Sequence, residues 1–306
     1  MKKLLFSIAL LIGLEEVCAA VIVVDQNGHG DYTTINDGIL NSIADDTIYV
    51  VSSSGSYGNF TLNSPRTFIG NGYYGQSLGF APSSTLGNVT LNAGASTSVF
   101  SNLEIGAITF NESNISFEAC RITGTFTIGG AIANISFAKC LFSSTISIQS
   151  ASVSFENSIF NYPSAGNMIT VTTTGASFNY CTFYDGNLSL NTSTIANSIV
   201  NSTRVVQSPV IATDGIAGNK VDTEGNLLFE TAQGQDQFFQ LQAGSPGLTS
   251  SSEGSESGAF GFPAAQPEDV YRLSGIPNIP RITGLDYNAV GTTGSGISIR
   301  IQATSN

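Results

Sequence analysis

Ile115-Ser116-Phe117-Glu118-Ala119-Cys120-Arg121-Ile122 is answered by Ile135-Ser136-Phe137-Ala138-Lys139-Cys140-Leu141-Phe142. The same phrase returns as Val153-Ser154-Phe155-Glu156-Asn157-Ser158-Ile159-Phe160 and as Ala176-Ser177-Phe178-Asn179-Tyr180-Cys181-Thr182-Phe183. Shorter versions run from Val99 to Ile105 and from Thr194 to Val200. The apolar anchors fall at 100, 117, 137, 155, 178 and 195, spaced by 17, 20, 18, 23 and 17 residues. A period of that size is the mark of a solenoid, in which no unit buries its apolar face alone and each completes its neighbour.

Within a unit the alternation is that of a strand. Ile115 and Phe117 face one way and Ser116 the other, while Cys120 and Ile122 share a side with Arg121 opposed. The phase slips by one between Phe117 and Cys120, which requires a two-residue turn at Glu118-Ala119. Equivalent turns are Ser101-Asn102, Glu156-Asn157 and Ala196-Asn197, and Asn is the residue after glycine that best tolerates a left-handed backbone. A third strand follows in the pattern apolar, hydroxyl, apolar: Ile108-Thr109-Phe110, Phe126-Thr127-Ile128, Ile146-Ser147-Ile148, Ile169-Thr170-Val171 and Leu188-Ser189-Leu190. Three short strands per unit, stacked coil on coil, predict an all-β parallel β-helix over residues 47–244.

Toward the N-terminus, residues 1–20 read as an export signal. Lys2 and Lys3 are its charged end, Leu4 to Leu14 its apolar run, and Ala19 or Ala20 its cleavage point. A run of 11 residues is too short to span a bilayer, which takes about 20. Glu15-Glu16-Val17 before Cys18 makes a poor lipidation motif. The expected location is therefore secreted, extracellular or at the cell surface, and not integral to a membrane. Residues 21–46 are expected to hold a first strand and a short capping helix over 34–43, with Thr34 as its cap and Ile35, Ile39, Leu40 and Ile43 at helical spacing. Its expected task is to cover the open end of the first coil.

Charge narrows the partners. With 10 Lys and Arg against 22 Asp and Glu, the formal net charge is -12, and there is no basic stripe for nucleic acid. Acidic polysaccharides are disfavoured unless a cation bridges the two like charges. No cofactor is implied; calcium would be compatible with the acid excess, but no ligand set argues for it. Cys120, Cys140 and Cys181 occupy one place in the repeat, together with Leu103, Ser158 and Ser198. They form either a buried ladder of small residues or, between adjacent coils, a Cys120 to Cys140 bridge.

Gly30-Asp31-Tyr32-Thr33-Thr34-Ile35, Asp46-Thr47-Ile48-Tyr49-Val50 and Ile69-Gly70-Asn71-Gly72, followed by the Phe-x-x-Cys-x-Phe repeats, resemble secreted bacterial proteins of the pectate-lyase-like right-handed parallel β-helix superfamily. Leu241-Gln242-Ala243-Gly244-Ser245-Pro246 and Gly258-Ala259-Phe260-Gly261 are similar to the end of the helix in many of its members. The resemblance implies a right-handed coil. It leaves function open, because the superfamily holds lyases, hydrolases, adhesins and scaffolds alike.

Lyases and hydrolases of that superfamily need clustered carboxylates. Between residues 60 and 200 the acids are Glu104, Glu112, Glu118, Glu156 and Asp185, with Arg66, Arg121 and Lys139 as the bases. Glu118 and Glu156 share a turn position two coils apart, a spacing suited to a solvated edge. His29, the only histidine, sits between Gly28 and Gly30 with no nucleophile motif beside it. The sharper signal is a column of hydroxyls, Thr90, Thr109, Thr127, Ser147, Thr170 and Ser189, with Thr125 and Thr145 beside two of them. Such a row is suited to sugar hydroxyls or ordered water, although Thr is also an ordinary solvent-facing strand residue. Tyr162, in the loop 161–167, and Tyr184, in the matching loop of the next coil, are the candidates for a sugar-stacking platform.

Residues 245–306 are expected to form a linker rich in Ser, Gly, Glu and Pro and then a C-terminal cap or tail that ends in the alternating strand Ile297 to Ile301. The leading expectation for function is a non-catalytic secreted or cell-surface β-helix that binds carbohydrate or a partner protein through its strand faces and loops. The alternatives are a polysaccharide lyase or glycoside hydrolase with its site near Asp214, Asp222 and Glu224, and an ice- or surface-binding solenoid resting on the hydroxyl column.

Overall fold

The computed structural model describes residues 19–74, 83–150, 152–164, 166–173, 175–191, 193–230, 235–263 and 270–276, and the backbone of 281–287 and 299–304. Residues 1–18, most of the expected export signal, therefore lie outside the described residues. The chain winds into about eight turns of a parallel β-solenoid with three sheets and fits a right-handed parallel β-helix. The first sheet has nine strands, beginning with Val21–Val24 and Thr47–Val50 and ending with Thr194–Ala196. The second has seven, from Glu104–Ile105 to Lys220–Val221, and the third has eight, from Phe60–Leu62 to Gln207–Ser208. All pairing in these three sheets is parallel, coil to next coil.

The repeat phrase sets the register. Phe100, Phe117, Phe137, Phe155, Phe178 and Ile195 are consecutive partners across the first sheet. Their rings stack in the core with centroids 5.1, 4.9, 5.1 and 4.8 Å apart from Phe100 to Phe178, and Phe68 extends the stack by one coil at 5.0 Å. A second stack, Phe142, Phe160 and Phe183, runs beside it at 4.9 and 5.0 Å. Offset aromatic pairs of this kind add about 0.5 to 1.5 kcal/mol each beyond the area they bury.

The corner between first and second sheets is a single left-handed residue in each coil. Asn102, Ala119, Lys139, Asn157, Tyr180 and Asn197 all have φ between 44° and 60°. Just past the corner the side chains of Leu103, Cys120, Cys140, Ser158, Cys181 and Ser198 are fully buried. Where this side chain is polar it donates to the carbonyl two residues back: Cys120 to Glu118 at 3.4 Å, Ser158 to Glu156 at 2.8 Å, Cys181 to Asn179 at 3.4 Å. That geometry accounts for Cys and Ser at five of the six coils, where a small group gives one hydrogen bond across the turn; Leu103 fills the same place with apolar bulk alone. The three cysteines are free thiols, so of the two readings the buried ladder is the one observed.

At the N-terminal end the helix spans Ile35–Leu40, shorter than the spacing predicts. Thr34 Oγ accepts from the Asp37 N–H at 3.1 Å, as a cap should. Ile35 and Gly38 are buried, and Gly38 comes close enough to Val24 that a Cβ would lie 2.9 Å from its methyl, so the helix covers the first coil. Leu40 and Ile43, expected on that apolar face, are 80% and 50% exposed. Leu40, the last helical residue, lies about 140° round the helix from the buried Ile35 and so faces away from the coil, and Ile43 falls beyond the helix end.

The Ser- and Gly-rich stretch is not slack. Residues 245–263 and 270–276 form a strap that runs back along the outer face of the second sheet, against the direction of coiling. Asn197 holds it through Gly258 N–H (2.8 Å) and Ser252 N–H (2.9 Å), Asn157 through the Ala259 carbonyl (3.0 Å), and Asn102 through the Gly275 carbonyl (2.8 Å). Beneath it Leu141, Ile159, Ile199, Tyr73, Tyr184, Phe229, Phe239, Ala259 and Tyr271 make a second apolar cluster outside the solenoid core. Further on, Arg281–Tyr287 and Ile299–Thr304 pair as an antiparallel hairpin, the first strand of which lies upstream of the expected alternating segment.

Candidate functional site

The third sheet builds the site. From Phe60–Leu62 to Ile146–Ile148 each of its strands sends two apolar side chains inward and one hydroxyl outward, because three residues at period two leave only the middle one facing water. Register places Thr61, Thr90, Thr109, Thr127, Ser147, Thr170, Ser189 and Ser208 in one row, each paired with the next. The column read from the repeats is thus real and longer by one coil at each end. Thr109 and Thr127 are exposed and Ser147, Thr170 and Ser189 half-buried. At the strand spacing of about 4.8 Å, the row is a comb of hydroxyls on a rigid backbone. None of the eight side-chain oxygens bonds to a described protein group.

Its flanks are uncharged and largely polar, broken by Ala107, Met168 and Gly129 and, at the last coil, by the exposed Val206 and Val210. Two positions after the column stand Asn63, Asn92, Asn111, Gln149 and Asn191, and two before it Asn59, Asn88, Thr125, Thr145 and Asn187. Asn92 donates to Asn63 Oδ1 at 3.0 Å and Asn111 to Asn92 Oδ1 at 3.1 Å, an amide ladder parallel to the hydroxyls. Asn59 and Asn88 accept from the backbone N–H groups of Asn88 and Ala107, at 2.7 and 3.0 Å, which fixes the other edge. Alternation makes this face; the absence of Asp, Glu, Lys and Arg from it, in a chain of net charge -12, gives it a character of its own.

A second hydroxyl row, which the alternation implies but the repeat analysis passed over, lies on the first sheet: Ser116, Ser136, Ser154, Ser177 and Thr194. A shallow groove of about 480 Å³ runs along it between Asn134, Ser136, Ser152, Ser154 and Ser177. Glu118 and Glu156 stand two residues further along the same strands, and Glu118 pairs with Lys139 at 3.3 Å. This row is therefore bordered by charge, unlike the third sheet.

The two tyrosines do not form a platform. Tyr184 is 8% exposed, enclosed edge-on by Phe229, Phe238 and Phe239 at 5.0 to 5.2 Å, with the Arg204 guanidinium 5.3 Å from its ring centre. Burial pushes its hydroxyl pKa up. Tyr162 is half-buried against the main core. Chain following the solenoid covers Tyr184, and nothing in the repeat announces a cover that arrives from 45 to 55 residues downstream, as about that many separate it from Phe229 and Phe239.

The acids do not converge on the coils. Glu104 pairs with Arg121 at 2.8 Å, Asp185 with Arg204 at 2.6 Å and Asp214 with Lys220 at 3.0 Å. Asp222 is buried and accepts the backbone N–H groups of Asn226 (2.7 Å) and Leu227 (3.2 Å), while Glu224 accepts the Asn226 amide at 2.8 Å. The region proposed for an acidic site thus spends each carboxylate on a local turn or ion pair. His29 is exposed, 3.5 Å from Asp25. Among the described residues no group of three His, Cys, Asp or Glu is placed to hold a metal, and no helix is long and apolar enough to cross a membrane.

No protein-family model matches the chain, and no curated protein matches it. Among solved structures it is similar to the pectin methylesterase from Aspergillus niger in penultimately deglycosylated form, with 15% identity, a TM-score of 0.42, and coverage of 67% of this chain and 83% of that one. At that identity and TM-score the likeness assigns no ligand or reaction.

Proposed function

We propose that this chain is a secreted or cell-surface carbohydrate-binding β-helix, acting by adhesion to an extended neutral polysaccharide along its third sheet. The observation that carries the reading is the row of eight hydroxyls without a protein partner among the described residues, flanked by largely polar edges of amides and hydroxyls with no charged side chain. A neutral polymer offers matching donors and acceptors at every residue. A polyuronate would meet no cation on this face and a net charge of -12 around it. The rigid backbone keeps the ordering cost on the protein side low, so that many weak bonds can sum.

The test is depletion of the protein by insoluble neutral glucans, mannans and xylans, against polygalacturonate with and without calcium. Thr127→Lys with Ser147→Lys places two bulky cations on the face and leaves inward Phe126, Ile128, Ile146 and Ile148 in place. Binding to a neutral polymer that is lost in the double variant, with an unchanged far-ultraviolet spectrum, is expected. Preference for polygalacturonate, or binding indifferent to the double change, overturns the reading.

A further inference from the structure

Outside the solenoid, between the short turn of helix Gln235–Phe239 and the strap, lies a cleft of about 500 Å³. Pockets for small molecules are commonly of roughly 300 to 1,000 Å³. Glu230, Gln237, Gln240, Leu241, Glu256 and Phe260 line it. One wall is held by backbone pairing: Glu230 N–H donates to the Gln240 carbonyl at 2.9 Å, and Phe229 bridges to Leu241. The other wall is the strap itself.

Glu256 is held there on a fixed loop. Its neighbour Ser257 is fully buried, donating from N–H to the Gly247 carbonyl (2.9 Å) and from Oγ to the Gly218 carbonyl (2.8 Å). The loop closes at Gly261, where a Cβ would fall 1.9 Å from the Glu256 carbonyl oxygen. Yet Glu256, half-buried on the lining of the cleft, has no side-chain hydrogen-bond or ion-pair partner among the described residues. The more deeply buried acids Asp46 and Asp236 are spent on partners: Asp46 accepts the N–H groups of Ala20 and Ile43 at 2.7 Å each, and Asp236 takes the Tyr271 hydroxyl at 3.2 Å. A half-buried carboxyl on a rigid loop, with no protein partner among the described residues and with two primary amides and an aromatic ring beside it, has the composition of a small polyol site.

We infer that this cleft binds a neutral sugar ring, with Glu256 and the Gln237 and Gln240 amides on its hydroxyls and Phe260 against its apolar face. The inference shares with the preceding proposal only the class of ligand, and the two sites lie on different faces. Burial holds the Glu256 carboxyl up to about 7, so at pH 6 it is mostly the neutral acid and can donate as well as accept. Among the described residues Glu230 is the only other titratable group on the lining, and none of them that line it is basic. A neutral ligand that covers Glu256 removes more water from it and favours the protonated form; a cation would displace the proton instead.

The experiment is calorimetric titration of the full chain carrying Thr127→Lys and Ser147→Lys, which removes the long face, with cellohexaose, mannohexaose and maltohexaose at pH 6 and pH 8. Binding of at least one is expected, about tenfold weaker at pH 8, as the protonated fraction of a group with its pKa near 7 falls about tenfold over that interval. Glu256→Gln, of the same shape, should bind at both pH values as the parent does at pH 6. Phe260→Ala should lose most of the affinity, with thermal unfolding of each variant checking the fold. No heat with any of the three sugars, affinity that rises with pH, or binding unaltered by both changes overturns the inference. Because the long face is already blocked, a failure here leaves the polymer-binding proposal standing, and the converse holds.

Discussion

Asn157, at a left-handed corner of the solenoid, donates its side-chain amide to the carbonyl of Ala259, 102 residues further along the chain, at 3.0 Å. The same nitrogen reaches Gly261 O at 2.6 Å, and the side chain is fully enclosed. One residue thus has two roles: it turns the coil by adopting φ 44°, and it holds the strap by donating to its backbone carbonyls. The two roles can be separated. Asn157→Gly keeps the turn and leaves buried carbonyls unpaired, a cost of about 1 to 3 kcal/mol. Asn157→Ala should cost about 1 kcal/mol more, since it adds the strain of a left-handed backbone. Urea midpoints of the two variants check this, and equal midpoints would show that the corner tolerates any small residue.

Gly275 and Gly244 make a second pair of contrasts. A Cβ at Gly275 would stand 2.4 Å from the Ala119 carbonyl oxygen and 2.5 Å from the Tyr73 ring, whereas at Gly244 it would meet nothing within 4 Å. Both have positive φ, so Gly244→Ala should cost about 1 kcal/mol. Gly275→Ala adds overpacking of about 1 to 3 kcal/mol and should loosen the end of the strap. Limited proteolysis is the readout: new cleavage near residue 275 in the Gly275 variant, with the solenoid intact, is expected, and equal resistance of both variants would contradict it.

The thiols should be silent in the native state. Burial pushes Cys120 and Cys181 up to about 12 and Cys140 well above the ordinary thiol value, so the reactive thiolate is scarce and shielded. Labelling at pH 8 should modify none of the three until denaturant is added, and then all three without reductant. A single labelled site after denaturation would mean a disulfide.

Stability should fall with pH in a window set by Glu256. Its folded pKa, raised by burial to about 7, lies above the unfolded value of about 4.3. The folded state therefore binds the proton more tightly. The stabilisation this supplies is whole below about pH 4.3 and is lost as the pH rises through 7, by up to about 3 kcal/mol. Glu256→Gln should match the parent near pH 4 and exceed it at pH 8 in chemical unfolding. A difference that does not change with pH would show that the carboxyl is fully hydrated.

What the sequence alone determined is the solenoid: its period, which residues face inward, the Asn corners and the place of the hydroxyl row. These are legible because a coil touches chiefly its neighbours, 17 to 23 residues away, so each contact is written into the repeat as parity and spacing. Thr127 faces outward because Phe126 and Ile128 must face inward, and that inference needs no knowledge of any distant residue. Tertiary structure decided everything outside the repeat. Asn102 finds Gly275 at a separation of 173 residues and the Tyr73 hydroxyl meets that of Tyr271 across 198. No periodicity encodes such pairs, and Ser and Gly in 245–263 read as slack until the burial of Ser257 and Ala259 is seen. For the same reason Tyr184, open by its place in the coil, is closed by Phe229 and Phe239, while Glu256, one acid among many by composition, is singled out by the cleft around it.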